Sequence, residues 1–379
     1  MSPLQAISNL ANAYSKAGMT DDDALMSHLA SAALHLPPEA FSPQSVANIA
    51  NAYSKLNPKE GTRGMTVTLL RHMSRSAQSL SPGSLDMQNI ANIVNAYAKV
   101  AIRDLPLITS MISAVASMSS STASVVGGGL LTADPQAIAN ILHAFAVLDI
   151  REGLTRPVVD CVTQPLIQVP PQDCQAQGVA NLAWACAVLQ ITDDELMSWL
   201  MDALRCHLPS MNWTCLRQVQ QFLLNMELDR RGGLGEPEDT RLEALLASAR
   251  GGAWGKDEPA GWRQDGWLGI AKMLAWNLDV RAAETLAAEG EPEAAGGDAV
   301  AEMVSREASP SRLQMEVARH LEMFDLDISE EVLHERTGYS VDIAVNLPAG
   351  KRVLVEVDGP FHYACGTKTR LGSSRMKLR

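Results

Sequence analysis

A twelve-residue motif that opens with glutamine occurs five times in this chain, at a nearly fixed period. The five glutamines lie 39, 44, 48 and 41 residues apart, at Gln5, Gln44, Gln88, Gln136 and Gln177. The five copies read QAISNLANAYSK, QSVANIANAYSK, QNIANIVNAYAK, QAIANILHAFAV and QGVANLAWACAV. A period of this size is typical of helical repeats, in which each unit buries its apolar face only by stacking on its neighbours.

Each copy has the apolar periodicity of a helix. When positions are counted from the glutamine as zero, apolar residues fall at +2, +5, +6 and +9, as in Ile138, Ile141, Leu142 and Phe145. A second segment with helical patterning follows each copy, so we expect a helix–turn–helix unit. A degenerate sixth unit is predicted to begin near Trp213.

Composition divides the chain into three predicted regions. Residues 1–230 form the repeat array, residues 231–310 form a linker, and residues 311–379 form a carboxyl-terminal module. Within the linker, Trp267–Leu278 is predicted to be a helix and the Ala/Glu/Gly-rich stretch Ala282–Asp298 a flexible segment. The six cysteines show no C-x-x-C pair, which argues against a zinc site or a disulfide framework, and no apolar run reaches transmembrane length. The predicted fold class is therefore mostly α: an α-solenoid followed by a small α/β module.

A polar stripe runs along the opposite face of each copy. Positions 0, +4, +7 and +11 lie within about 60° of one another on a helical wheel. In the first three copies, +7 and +11 hold the pairs Asn12 and Lys16, Asn51 and Lys55, and Asn95 and Lys99; in the last two, +7 holds His143 and Trp184. Amides can read base edges, aromatic rings can stack on bases, and some helical repeats read one base each. As the alternative, the amides form a structural hydrogen-bonded ladder between repeats or satisfy backbone groups in the turns.

The charge is acidic overall but unevenly distributed. The net charge is −12, which argues against nucleic acid if it is considered globally. Between Gln44 and Lys99, however, there are six basic residues and two acidic ones, and from Gly359 to Arg379 there are five basic residues and no acidic one. Two local basic surfaces are therefore predicted to hold phosphates.

The carboxyl-terminal module is predicted to hold a helix from Ser311 to about Phe324 and a hairpin. The hairpin strands are Tyr339–Val345 and Arg352–Asp358, joined by a turn at 348–350. Their alternation places three carboxylates on one face: Asp342, Glu356 and Asp358. Three converging carboxylates are suited to a divalent-metal site for phosphodiester hydrolysis. As the alternative, Asp358 simply caps the turn that ends the strand.

Segments of this module resemble the RAP domain. They are Leu313-Gln314, Tyr339–Ile343, the run VEVDGPFH from Val355 to His362, Leu371–Ser374 and Met376–Arg379. RAP domains are found at the carboxyl terminus of organellar RNA-binding proteins, including octotricopeptide-type proteins of algal chloroplasts and mitochondrial FAST-kinase-like proteins. The repeat QxxANxxxAxxxL also resembles the arrays found with RAP domains in algae and alveolate protists.

This resemblance implies a restriction-endonuclease-like core and a role in organellar RNA stability, processing or translation. It places Asp342, Glu356 and Asp358 at the family's acidic positions. It also implies a mitochondrial or plastid location, although no transit peptide is visible. Two features depart from the family pattern. Asp358 stands where a nuclease of that fold usually has lysine, and Arg379 comes before the family's final helix and closing strand, so we expect a truncated module.

Three functional hypotheses follow. In the first, the protein binds single-stranded RNA, with other organellar RNA-processing proteins as possible partners and with no cofactor. Phosphate contacts would then come from His362, Lys368, Arg370, Arg375 and Lys377 in addition to the repeat residues. In the second, it is an RNA endonuclease that uses Mg²⁺ or Mn²⁺ at the three carboxylates, with His362 as a general base. In the third, it is an armadillo-like protein scaffold.

Overall fold

The computed structural model describes residues 3–17, 23–56, 63–122, 134–229, 311–324, 326–333, 340–347, 350–359, 362–365 and 367–373. Within these ranges the chain is mostly helical, with one small three-stranded antiparallel sheet. It forms two compact units: Met1–Leu200 with Tyr363–Arg375, and Met201–His362 with Met376–Arg379. The predicted linker at 231–310, including the predicted helix Trp267–Leu278 and the predicted flexible stretch Ala282–Asp298, lies outside the described residues.

Each of the five repeats that begin with the glutamine motif contains two helices. The first helix of each unit, the A helix, contains the glutamine motif, and the second is the B helix. The A helices are α1 (Pro3–Lys16), α3 (Pro43–Tyr53), α5 (Met87–Lys99), α7 (Pro135–Val147) and α9 (Ala176–Leu189). The B helices are α2 (Asp23–Leu34), α4 (Arg63–Ser79), α6 (Leu105–Thr122), α8 (Arg156–Ile167) and α10 (Asp194–His207). A further helix, α11 (Trp213–Asp229), begins where the sixth unit was predicted.

Short turns and side-chain caps begin several A helices. Turns of 3-10 type at Pro38–Ala40, Pro82–Ser84 and Pro171–Asp173 precede α3, α5 and α9. Proline suits the first position of such a turn because its fixed φ is already helical and its missing N–H is not needed there. Asp86 then accepts the N–H of Asn89 at 2.6 Å. This cap satisfies a backbone donor that the helix leaves unpaired at its start.

The helices of the first unit pack in two layers. Each A helix contacts the next A helix along the chain, from α1 to α9, and the B helices α2, α4, α6 and α8 do the same. The predicted apolar stripe faces the interior: Ile138, Ile141, Leu142 and Phe145 are all buried. The predicted stripe is therefore part of the core of this unit.

A tyrosine at +9 connects each of two A helices to the preceding B helix. The hydroxyl of Tyr53 donates to the carbonyl of Met26 at 2.6 Å, and the hydroxyl of Tyr97 donates to the carbonyl of Leu70. Both pairs are 27 residues apart. Burial raises the pKa of both hydroxyls, so each remains a donor. A repeated polar contact therefore fixes one layer against the other inside an otherwise apolar core.

Three A helices end in the same way. The residue at +13 has a left-handed backbone in α5, α7 and α9, with φ of 55° at Ala101, 48° at Asp149 and 60° at Gln190. The next residue is isoleucine each time, and its N–H returns to the carbonyl at +9, as from Ile102 to Tyr97 at 3.0 Å. This is the Schellman arrangement, which satisfies carbonyls left free at the helix end and turns the chain sharply.

Two arginines that the sequence interpretation missed reinforce these helix ends. Arg103 donates to the carboxylate of Glu152 at 2.7 and 2.8 Å and to the carbonyl of Leu148 at 3.3 Å. Arg151 donates to the carbonyl of Val188 at 2.6 Å. Both arginines stand at +15, so their common spacing from the glutamine was the signal that identifies them. Cations are favourable beside helix carboxyl ends because the carbonyl dipoles point there.

The second unit contains the sheet. Helix α12 (Arg312–Glu322) precedes β1 (Asp327–Leu333), β2 (Ser340–Leu347) and β3 (Lys351–Val355), which pair antiparallel in that order. The hairpin prediction is confirmed, because Ile343 lies opposite Val355. Ala318 of α12 packs with Ile343 and Val345 in a small core.

The sequence did not predict β1. Glu330 lies between Ile328 and Val332 on the same face of the strand, so the alternation of apolar and polar residues that indicates a strand is broken there. Pairing with the well-patterned β2, which places Glu330 opposite Ile343, outweighs this weak local preference. The strand predicted over Arg352–Asp358 also ends earlier, at Val355.

Candidate nucleic-acid interface

The predicted polar stripe lies on neighbouring helices in the first three repeats. Asn12, Asn51 and Asn95 are half-buried, whereas Lys16, Lys55 and Lys99 are exposed. Since α1, α3 and α5 pack side by side, equivalent positions on them form a row. We call the row formed by these three lysines the lysine edge. It lies at the carboxyl-terminal ends of the A helices.

The structure indicates that two of these lysines share one surface. The pKa of Lys99 is lowered, first because neighbouring protein atoms remove water from its ammonium group and second because the charge of Lys55 repels it. A cation placed beside another cation favours an anion between them, because the anion relieves the repulsion. Lys55 and Lys99 are therefore a suitable pair for a phosphate.

Within the described residues, acidic side chains precede α3, α5, α7 and α9, at the helix end opposite to the lysine edge. Asp86 and Asp134 are the N-cap residues of α5 and α7, and Glu39 and Asp173 lie in the turns before α3 and α9. All four are exposed. Acidic residues before a helix and basic residues at its end both match the helix dipole. The net charge of −12 is therefore compatible with a basic edge on the same molecule.

The glutamine and asparagine at positions 0 and +4 bond to each other within one helix. The side-chain amide of Gln88 donates to Asn92 at 3.1 Å, and Gln136 donates to Asn140 at the same distance. In α9, Gln177 donates to Asn181 at 2.9 Å. The predicted alternative was a ladder between repeats, whereas these three bonds run within a helix. They give positions 0 and +4 a structural role and leave +7 and +11 as the positions with more freedom to contact a ligand.

His143 and Trp184 pack against each other. Their ring centroids are 5.3 Å apart with the planes inclined at 48°. Trp184 is only 5% exposed, and burial lowers the pKa of His143 to about 4. The sequence interpretation placed both rings where bases could stack on them. Trp184 is inaccessible to a base in this structure, because this face of α9 is buried, and we omit it from the interface.

A carboxyl-terminal segment of the chain belongs to the same compact unit as the repeats. We call residues 363–373 the carboxyl-terminal segment. The backbone N–H of Cys365 donates to the carbonyl of Ala101 at 2.6 Å. Lys368 and Arg370 are exposed, and the guanidinium of Arg370 lies 6.0 Å from the ring centroid of Tyr363. Two further predicted phosphate contacts, Arg375 and Lys377, lie outside the described residues.

The three carboxylates predicted to bind a metal, Asp342, Glu356 and Asp358, lie in the second unit. Asp342 accepts the backbone N–H of Val357 at 2.6 Å through Oδ2, just beyond the end of β3. The buried side chain of Gln314 donates to the carbonyl of the same aspartate at 3.2 Å, which ties α12 to β2. Asp342 therefore supports the end of the hairpin, a role that requires no metal.

Two of the remaining predicted residues of this unit lie close together. Oδ1 of Asp358 lies 3.3 Å from Nδ1 of His362. The third, Glu356, is half-buried. Among the residues that the structure describes, no group of three or more His, Cys, Asp or Glu side chains is arranged to hold a metal ion. The geometry thus gives no support from this region to metal-dependent cleavage.

Comparisons add no family assignment. No protein-family model and no curated protein matches the chain. The likeness to RAP-domain proteins therefore depends only on the motifs within residues 313–379 and on the repeat pattern. Among the described helices, none has the length and apolar character needed to cross a membrane.

Proposed function

We propose that the protein binds single-stranded RNA, with the phosphate backbone lying along the lysine edge. In this proposal the layered A and B helices are an α-solenoid, and the sheet-containing unit is a RAP-like module. The likeness to RAP-domain proteins extends the proposal to processing, stability or translation of RNA in a mitochondrion or plastid. Single-stranded RNA is a suitable ligand because its phosphates carry regularly spaced charge and its bases are open to side chains.

One observation carries the proposal: exposed lysines recur at the same repeat position, at or just beyond the carboxyl-terminal ends of three adjacent helices. They are Lys16, Lys55 and Lys99. Helices in contact are about 8–10 Å apart. The spacing between neighbouring lysines therefore suits an extended nucleotide chain better than a single small ligand. The pKa of Lys99 is lowered first by burial and second by repulsion from Lys55, and a phosphate that binds there relieves the repulsion. The half-buried amides at +7, four residues before each lysine, are then placed to contact the bases.

A structural role for the same lysines is the competing explanation. Lys16 and Lys99 are the last residues of α1 and α5, where a cation offsets the helix dipole by about 0.3–1 kcal/mol. Under the armadillo-like scaffold hypothesis, this stabilisation of the helix ends is the only role of these lysines. The two explanations differ in what a charge reversal does, because only the first makes RNA affinity depend on these side chains.

The test is a fluorescence-anisotropy titration of the full chain with a labelled pool of single-stranded RNA, at 50 and 200 mM salt. We expect binding that weakens with salt, and a large loss of affinity in the double variant Lys55→Glu, Lys99→Glu. Each phosphate contact on a single strand contributes about 0.7 to the slope of log affinity against log salt. Removing two contacts should therefore lower the magnitude of that slope by about 1.4.

A matched control separates the site from net charge. Lys351 and Arg352 are exposed on β3 of the second unit, so Lys351→Glu with Arg352→Glu makes the same change in total charge. An equal loss of affinity in both double variants would mean that only net charge matters. Absence of RNA binding at 50 mM salt would refute the proposal and favour the scaffold.

The amides need a separate test, because they can act structurally. Asn51→Ala combined with Asn95→Ala removes two +7 side chains while leaving the lysine edge intact. If the amides contact bases, affinity falls and the thermal midpoint changes little. Unchanged affinity together with a lowered thermal midpoint would assign them to the packing of α3 and α5 instead.

We do not extend the proposal to cleavage. Asp342 already accepts the N–H of Val357, and Asp358 is paired with His362. A single-metal or two-metal mechanism needs carboxylates that converge on one point, and the described residues offer no such group.

A further inference from the structure

The lysine edge ends after the third repeat. In the next two repeats the lysine is replaced by valine, and the structure shows how the chain is arranged there. Position +11 is lysine in copies one to three but Val147 and Val188 in copies four and five. Val188 is buried. A surface position that changes from lysine to a buried valine indicates that something covers this end of the array.

The carboxyl-terminal segment lies against these helix ends. Its Cys365 N–H bonds to the carbonyl of Ala101, two residues after Lys99. Its Gly372 approaches α7 and α9 so closely that an added Cβ atom would overlap the carbonyl oxygen of Ala146 and would lie 2.8 Å from Cγ1 of Val188. Only glycine leaves room for such an approach between two backbones. The contacts thus run from the end of α5 to the ends of α7 and α9, where the lysines are missing.

The segment also carries positive charge of its own. Lys368 and Arg370 are exposed, whereas the apolar side chains Ala364 and Leu371 are buried. The stretch from Gly359 to Arg379 contains no acidic residue. The segment that contacts the ends of α5, α7 and α9 therefore also presents two exposed cations.

We propose that the carboxyl-terminal segment completes the RNA-binding track, with Lys368 and Arg370 taking the place of the missing lysines of repeats four and five. This inference rests on the proposed RNA-binding function. It makes the ligand a strand long enough to pass from the lysine edge onto the segment. It also explains why copies four and five carry valine at +11: the valines bind the segment, and the segment supplies the charge.

The experiment compares Lys368→Glu, Arg370→Glu with the wild-type chain, using the same labelled RNA pool at 50 and 200 mM salt. Each single-strand phosphate contact changes affinity by about 2.6-fold over this fourfold range of salt, so two contacts account for about 7-fold. Wild-type affinity should therefore fall about 7-fold more than that of the variant. The control Lys351→Glu, Arg352→Glu should keep the wild-type salt response.

A second variant tests the position of the segment rather than its charge. Gly372→Val places side-chain atoms where Ala146 and Val188 already stand, and should detach the segment. Hydrogen–deuterium exchange of residues 363–373 should then accelerate, while protection of α5 remains. This variant should show the same reduced salt response although it keeps both cations.

The outcomes separate the two proposals. If wild type binds RNA and Lys55→Glu, Lys99→Glu abolishes binding, but the Lys368 and Arg370 variant equals wild type, the track inference is overturned and RNA binding by the array stands. Tighter binding after detachment of the segment also overturns the inference, because the segment would then be an inhibitor. If the wild-type chain binds no RNA, both proposals are overturned.

Discussion

Replacing Ala101 with glycine should stabilise the chain, although glycine usually weakens a helical protein. Ala101 has a φ of 55° at the end of α5. In this left-handed conformation the β-carbon of an L-residue crowds the following carbonyl, at a cost of about 1–2 kcal/mol. Glycine avoids that cost but adds about 0.4–1 kcal/mol of unfolded-state entropy. The midpoints of these two ranges differ by about 0.8 kcal/mol, so we expect a net stabilisation of about 0.5–1 kcal/mol.

The assay is amide hydrogen exchange at Ile102. Its N–H bonds to the carbonyl of Tyr97 and closes the turn that Ala101 forms. A gain of about 0.5–1 kcal/mol slows exchange through local opening by about 2- to 5-fold. The urea midpoint followed by far-ultraviolet circular dichroism should rise as well, because the variant keeps every backbone contact in the structure.

A matched substitution three residues earlier gives the opposite result. Ala98 lies within α5 and is buried, so Ala98→Gly loses roughly 1 kcal/mol of helix propensity together with its buried methyl group. If Ala101→Gly accelerates exchange at Ile102 or lowers the urea midpoint as Ala98→Gly does, the account of the left-handed turn is refuted.

Three further predictions test the core, pH dependence and the hairpin. Tyr97→Phe should lower the free energy of unfolding by about 0.5–1.5 kcal/mol, because Leu70 loses a buried donor; an unchanged urea midpoint would contradict this. The pKa of His143 is about 4 in the folded chain, below its unfolded value, so stability should fall as pH drops from about 6.5 to 4, by up to about 1.4 kcal/mol per unit. Urea titrations across this range should show a flatter dependence in His143→Phe. Asp342→Ala should accelerate amide exchange at Val357, which loses its acceptor; unchanged exchange would argue against the supporting role.

Local periodicity explains why much of the fold could be predicted. Residues three and four apart share a helix face, so Ile138, Ile141 and Leu142 identified a buried stripe without knowledge of what covers it. The hairpin, in which Ile343 lies opposite Val355, was predicted in the same way from alternation on two strands joined by a short turn. Both predictions depend on neighbours along the chain, and the structure confirms both.

The candidate site was less predictable because it depends on contacts between distant residues. Position +7 in copy five aligns with half-buried amides in copies one to three, yet Trp184 is buried against His143. Asp342 shares a predicted face with Glu356 and Asp358, yet its carboxylate bonds to the backbone of Val357. Equivalent positions in a pattern have equivalent roles only when their surroundings are also equivalent.

The sequence by itself determined the repeat, its two-helix unit, the buried stripe and the lysines at +11. All of these depend on the spacing of residues that are close together along the chain. Only the tertiary structure decided that the carboxyl-terminal segment bonds to Ala101 and that Gly372 packs at the ends of α7 and α9. These residues are far apart along the chain, and their contacts run largely through backbone atoms, which leave no periodic trace in the residue pattern.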